Sequence, residues 1–194
     1  MRSALILLAH PAYHRSRVHH MMIEAVKDMK NVTIHDLYET YPDFHLNLPR
    51  ERELLLNHDM LVLQHPFYWF SAPALMKEWC DLVLTYGWAY GPDGGKLEGK
   101  TLMSAVTTGG PHKALQKSED PLYSPHELLA PFHKMAHICH MRYADPHILE
   151  YSNRADQQTV VKHATAYCQR LQDFIDGKDC CGFPYVKNTS EKAS

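Results

Sequence analysis

The stretch Met60-Leu61-Val62-Leu63-Gln64-His65-Pro66-Phe67-Tyr68-Trp69-Phe70 is an apolar run that stops at a proline and opens into aromatics. It is too short for a buried helix, and Pro66 cannot continue a central ladder, so residues 60–64 read as a buried strand. Aromatics just past the carboxyl end of such a strand stand where open α/β sheets receive planar ligands. Phe67, Trp69 and Phe70 serve equally well as packing beneath a loop.

Working outward, apolar runs alternate with amphipathic segments, the βαβα pattern of a parallel sheet covered by helices on both faces. Strands are expected at 3–9, 32–37, 60–64 and 100–107, and a fifth at 142–143 and 147–151, interrupted by Asp145-Pro146. Helices are expected from Ser16, a plausible N-cap, to Met29, over 50–57, from Pro73 to an end marked by Gly87, over 124–140, and over 156–175 before Gly177. Residues 1–177 are expected to form one domain without a second, and 178–194 a C-terminal tail that is partly disordered, its last residues 187–194 polar. The glycine-rich and aromatic segment 87–95 is long enough to be a functional loop.

With 194 residues, 45% hydrophobic and 22% charged, the chain has the balance of a folded globular protein. A net charge of −2 and the absence of a basic stripe exclude general nucleic-acid affinity. Residues 1–9 read as the first strand rather than a targeting segment. No apolar stretch approaches the roughly 20 residues of a membrane helix, so any membrane role is peripheral or through a partner. The five scattered cysteines fit a reducing, cytoplasmic setting, and the adjacent Cys180 and Cys181 offer only two soft ligands to a metal. The fifteen histidines include His10, His14, His19 and His20, which lack a supporting metal motif and read as solvated helix residues.

Three strand ends share one rim of a parallel sheet: Ala9-His10-Pro11, His65-Pro66-Phe67-Tyr68-Trp69 and Thr107-Thr108-Gly109-Gly110. Ser16, Arg17 and Val18 mark a helix amino terminus that offers amide donors, a favourable dipole and a guanidinium to a phosphate, although Ser16 serves as well as a simple cap. Thr108, Gly109 and Gly110 bring backbone close to a polar ring edge, or else form only a tight turn. Neither GxxxxGK[ST] nor GxGxxG is present, so a ligand with one phosphate and a flat ring fits better than ATP or a dinucleotide.

Ala9-His10-Pro11-x4-Ser16, Gln64-His65-Pro66-x2-Trp69-x3-Pro73-x3-Lys77-x-Trp79, Gly87-Trp88-Ala89-Tyr90-Gly91 and Thr107-Thr108-Gly109-Gly110 together resemble the flavodoxin-like NAD(P)H:quinone oxidoreductases of the DT-diaphorase type. Leu37-Tyr38-x2-Tyr41-Pro42-Asp43-Phe44 looks most like the bacterial ancillary subunits of glutathione-gated potassium efflux systems. The resemblance implies a flavodoxin-like α/β fold with a five-stranded parallel sheet, a homodimer, and FMN in preference to FAD. It also implies flavin contacts from His10, Ser16, Arg17 and Val18 on the phosphate and ribityl side. Pro66, Phe67, Tyr68, Trp69, Thr108, Gly109 and Gly110 would hold the ring. His19 departs from the Asn of near relatives. Tyr123 and His126 lie near the catalytic Tyr and His of larger members by sequence proximity alone, and no side chain is assigned a catalytic role.

The reaction so implied is two-electron, ping-pong transfer from NAD(P)H through the flavin to a quinone, because the cofactor carries the chemistry. A second reading, also from the resemblance, is a regulatory subunit on the cytoplasmic domain of a potassium efflux transporter, peripheral to the inner face of the membrane. A third, a histidine-based metal hydrolase, lacks a ligand set with supporting spacing.

Overall fold

The computed structural model describes residues 1–109, 124–178 and 182–183. Gly110, Tyr123, Cys180 and Cys181 lie outside the described residues. The strands are β1 (Ala4–Leu8), β2 (Val32–Asp36), β3 (Met60–Pro66), β4 (Thr101–Thr107), β5 (Arg142–Ala144), β6 (His147–Leu149) and β7 (Gly182–Phe183). They pair in the order β2-β1-β3-β4-β5-β7, with β6 also on β4, and every pairing is parallel except β5 with β7. The expected five-stranded parallel sheet is therefore present, its fifth position shared by β5 and β6. β7 is an antiparallel addition from within the 178–194 tail.

Every residue of β1, β3 and β4 is buried, which is why these strands read as unbroken apolar runs. Successive side chains serve opposite faces. Leu5 and Leu7 of β1, with Leu61 and Leu63 of β3, pack beneath α3 (Leu48–Leu56), α4 (Ala74–Val83) and α6 (Ala130–Ile138) through Leu55, Trp79 and Phe132. Ala4, Ile6 and Leu8, with Met60 and Val62, pack beneath α1 (Arg17–Glu24) and α7 (Gln157–Ile175) through Met22, Val160, Tyr167 and Phe174. Two short helices, α2 (Leu37–Thr40) and α5 (Pro125–Leu128), complete the described set. Among the described residues no helix is long and apolar enough to cross a membrane.

Several boundaries depart from expectation for local reasons. The segment 124–140 divides into α5 and α6 because Pro131 enters near the start of α6, where a missing N–H costs nothing but where a continuous helix would clash. α4 ends at Val83, with Leu84 already out of helical geometry, so Tyr86 lies beyond the helix and is exposed instead of joining its apolar face. α3 starts earlier than expected, with Asn47 accepting from the Arg50 amide and Pro49 in the first turn. α1 is shorter than expected, capped by the Ser16 hydroxyl on the His19 amide at 3.3 Å and followed by turns.

The fifth strand position has the feature that matters most for the site. β4 pairs with β5 at Thr101 and Leu102, and then with β6 from Ala105 to Thr107. Asp145 and Pro146 belong to neither ladder, whereas Pro66, expected to lie beyond the third strand, is the last residue of β3, in register with Thr107 of β4.

Candidate functional site

At the carboxyl rim, β1 delivers His10, β3 delivers Pro66 and Phe67, β4 delivers Thr107 and Gly109, and the segment after β6 delivers Ser152 to Ala155. These surround a cleft of about 600 Å³, closed on one side by Ala12, Arg15, Ser16, Arg17 and Val18 and on the other by Tyr68. Its volume falls within the range of small-molecule and cofactor sites. Three arginines and no carboxylate are among the lining residues, so the cleft favours an anion.

The Arg15–Val18 end is built as an anion seat. The first i→i−4 bond of α1 runs from the His20 amide to the Ser16 carbonyl, so the amides of Arg17 and Val18 precede it at the positive end of the helix dipole. The Arg17 guanidinium also donates to the Ala155 carbonyl, which ties the helix start to the loop after β6. That loop is fixed from its other side: the Ser152 amide and hydroxyl both donate to the Thr108 carbonyl at 3.0 Å. Any side chain at Gly109 would meet Asn153 Nδ2 at 3.1 Å from its Cβ, so glycine lets the two loops close on each other.

The β3 and β4 exits add Pro66, Phe67 and Thr107 to the lining. The Phe67 amide donates to the Thr107 carbonyl at 2.8 Å, holding the β3 exit against the β4 exit. His10 is half-buried, and its Nδ1 accepts from the Ala12 amide at 3.1 Å, leaving the ring proton on Nε2. Burial, acting first, lowers its pKa and keeps the ring neutral. Beneath the cleft lies a buried polar cluster of His19, Gln64, Thr107 and Tyr167.

His10, Ser16, Arg17, Val18, Pro66, Phe67, Tyr68 and Gly109 are thus brought together around one cleft. Trp69 is not among them. Tyr68 and Ser71 pair through the reciprocal bonds of a two-residue hairpin turn, and its central residues, Trp69 and Phe70, have φ of 49° and 60°. This turn throws the Trp69 side chain outward, where it is 93% exposed. Thr108 is not among the lining residues either, and its amide donates to the Leu149 carbonyl at 3.0 Å. His126 sits exposed on α5, and Gly110 and Tyr123 fall outside the described residues. His19, read as solvated, is buried at the face of α1 that also buries Val18, Met22 and Ile23. His14 and His20 are exposed as expected, and among the described residues no cluster of three or more metal-binding side chains occurs.

Ala12, Arg15 and the segment 152–155 line the cleft without having been singled out by sequence, and Thr107, read there only as the start of the fourth strand's exit, lines it too. The signal for 152–155 was available: a fifth parallel strand must release its following loop on the same rim as strands one, three and four. Asp145-Pro146 obscured that strand.

A family model for the flavodoxin-like fold matches residues 2–171. The glutathione-regulated potassium-efflux system ancillary protein KefG of Enterobacter sp. (strain 638) is 42% identical over 167 residues, covering 86% of this chain and 91% of that protein. Among solved structures, general stress protein 14 of Treponema denticola in complex with FMN shares 38% identity and a TM-score of 0.81, over 88% of this chain and 98% of its own. A NADPH-quinone reductase from P. pentosaceus shares 32% identity and a TM-score of 0.77, over 87% and 96% respectively. On the match to residues 2–171 and the identity to KefG across most of both chains, this chain belongs to the flavodoxin-like fold family, as a relative of the KefG ancillary proteins.

Proposed function

We propose that the protein is an FMN-dependent NAD(P)H:quinone oxidoreductase that works by a ping-pong, two-electron cycle and also acts as an ancillary activator of a glutathione-gated potassium efflux transporter. The observation that carries the redox reading is the cleft's polarity. A carboxylate-free seat of arginines and helix amides occupies one end, and the exits of β3 and β4 supply flat apolar and backbone surface at the other. The FMN complex of one relative and the reductase name of another support the same reading.

The residues present fit an FMN-sized group. The amides of Arg17 and Val18, the Ser16 side chain and the Arg17 guanidinium would hold its phosphate, with His10 beside them. Pro66, Phe67, Tyr68, Gly109 and the backbone leading to Gly110 would flank the ring. Trp69 would act at the mouth, where it is exposed, rather than along the wall. Bound FMN would supply reversible two-electron hydride chemistry between NAD(P)H and a quinone. Phe67 and Tyr68 exclude water from one side of the cleft, and the loops at 107–109 and 152–155 fix its width before any ligand arrives.

Tyr68, Trp69 and Phe70 present exposed aromatic surface beside the cleft, which a second copy of the chain would cover in a homodimer. The ancillary role is supported by the KefG relationship, and it would put the protein in the cytoplasm, at the inner face of the membrane through a transporter partner.

The primary test is spectral. Protein reconstituted with FMN should show bound-flavin absorption and oxidise NADH or NADPH with a soluble quinone, giving parallel double-reciprocal plots. Failure to bind FMN, or binding with no quinone-dependent turnover, overturns the redox reading. Transporter flux should be compared between wild-type protein and a folded variant that has lost FMN. Equal activation by both would show that docking, not turnover, does the regulating, and no association with the transporter would remove the ancillary role.

A further inference from the structure

Beneath the cleft, four buried side chains from four elements form a hydrogen-bonded file. Tyr167 of α7 donates from its hydroxyl to Gln64 Oε1 at 2.9 Å. Gln64, at the end of β3, places Nε2 3.4 Å from the His19 carbonyl and 3.4 Å from His19 Nδ1. His19 of α1 places Nε2 3.0 Å from Thr107 Oγ1 at the end of β4. Thr107 lines the cleft.

The direction of each bond follows from the first acceptor that has no choice. A carbonyl oxygen only accepts, so the Gln64 amide must turn its NH₂ group toward His19 and its oxygen toward Tyr167. The same NH₂ group faces His19 Nδ1, which therefore accepts, and the ring proton resides on Nε2. His19 then donates to the Thr107 oxygen. Burial holds the His19 pKa well below its ordinary value, with His10, His65 and His163 acting in the same sense, so the ring is neutral and has one proton to give. Burial raises the Tyr167 pKa, so its hydroxyl stays protonated.

Every bond in the file runs the same way, and its last member has one proton left. Among the described residues the Thr107 hydroxyl has no other partner. A threonine hydroxyl ordinarily serves a ligand as donor or acceptor by rotation. Here one lone pair of the oxygen already accepts the His19 N–H, its own O–H is the file's one donor without a partner among the described residues, and aligned bonds reinforce one another in a low-dielectric interior.

We infer that Tyr167, Gln64 and His19 are positioning residues that bias the Thr107 hydroxyl toward donating into the cleft, so that the site presents a directed donor to an acceptor atom of the ligand. The inference rests on the flavin reading for the identity of that ligand, FMN, but not for the polarity of the file. It gives His19, buried and 88 residues from Thr107 in sequence, a role that a plain core histidine lacks.

The experiment has two arms. In the first, ¹⁵N NMR of the wild-type protein without ligand reads the His19 tautomer, and the expected state is Nε2–H with an unprotonated Nδ1. The opposite tautomer would overturn the inference. In the second, FMN dissociation constants are measured for Thr107→Val, Thr107→Ser, Tyr167→Phe and the Thr107→Val/Tyr167→Phe double variant, each checked for fold by circular dichroism. Thr107→Val should weaken FMN about five- to tenfold, the worth of one directed hydrogen bond, and Thr107→Ser should restore wild-type affinity. Tyr167→Phe should weaken FMN about two- to threefold in the wild-type background and have no further effect on Thr107→Val.

An unchanged dissociation constant for Thr107→Val, or a Tyr167→Phe loss that persists in the double variant, would show that the file only packs. If the wild-type protein binds no FMN, the flavin reading and the ligand assignment fail together. The tautomer measurement would still decide the polarity of the file.

Discussion

Two buried polar clusters lie on opposite faces of the same sheet, and they are built on different plans. On the face covered by α3 and α4, the Glu51 carboxylate is fully buried and receives His35 Nε2 at 2.9 Å, Trp79 Nε1 at 2.7 Å and the Tyr41 hydroxyl. Burial alone would raise its pKa, but the bonds from His35, Tyr41 and Trp79 together outweigh it and hold the carboxyl below its usual value. This cluster is closed, because a charge sits at its centre and the donors converge on it. On the face covered by α1 and α7, the Tyr167-Gln64-His19-Thr107 file is neutral and ends at the cleft. A convergent cluster serves to join β2, α3 and α4, whereas a file with a free end can act on something outside itself.

If that contrast is right, damage to the two faces should appear in different measurements. The largest effect is expected from Glu51→Ala, which leaves three buried donors without their acceptor and should cost roughly 3–5 kcal/mol in urea unfolding. Glu51→Gln should cost less, and the molecules that remain folded should bind FMN with unchanged affinity. Reduced FMN affinity without a loss of stability would erase the distinction between the faces.

Acidification should strike both faces. Burial, as the first cause, lowers the pKa of His65 to about 4 on the α4 face, and those of His163 to about 4 and His147 to about 3 on the α7 face. His163 and Arg170 lower His147 further, and Tyr167 stacks on its ring. Each folded value lies below the unfolded value, so the unfolded chain takes up protons first. The stability contribution is full above about pH 6.5 and is lost as the pH falls toward 4. His65 alone should account for roughly 2 kcal/mol by pH 5, and a urea midpoint that does not fall between pH 7.5 and pH 5 would contradict this.

Arg17→Ala tests the cleft from outside the file. It should weaken FMN about tenfold, with a smaller penalty at high salt, while stability changes by less than about 1 kcal/mol because the side chain is exposed. Fluorescence titration at two ionic strengths reads both parts. The smallest effect is expected at the turn beside the cleft. Replacing Trp69-Phe70 with Asn-Gly suits two left-handed positions and should raise stability by about 1 kcal/mol. Sedimentation of the same variant should show weakened self-association, and unchanged association would remove the turn from any dimer contact.

Much of this architecture is written in the chain at short range. The runs at 4–8, 60–66 and 101–107 are apolar throughout because both faces of a central parallel strand are covered, so strand identity and the shared rim follow from composition and length. What escaped local reading depended on partners distant in sequence. Trp69 promised a wall of the cleft, yet its direction is set by a turn closed between Tyr68 and Ser71. His19 read as a solvated helix residue along with His10, His14 and His20, although its spacing from Ile23 places it on the buried side of α1. Its use as a donor is invisible without Gln64 and Thr107, which arrive from two other strands.

The break at Asp145-Pro146 also does something that its length alone determines. Tyr143 stands beside Leu102 and His147 beside Ala105, so the broken strand takes four steps where its neighbour takes three. Strand side chains alternate, so the surplus residue inverts the reading frame of everything after it. Tyr143 faces the α4 side, and two-residue alternation would send His147 and Leu149 there too; instead Leu149 joins the opposite core and His147 stacks on Tyr167. Shortening the break by one residue would exchange the two faces of β6 while leaving its composition untouched, burying Ile148 under α7 and turning His147 away from the file. What this segment transmits is parity, and insertions or deletions there should be tolerated in twos and refused in ones.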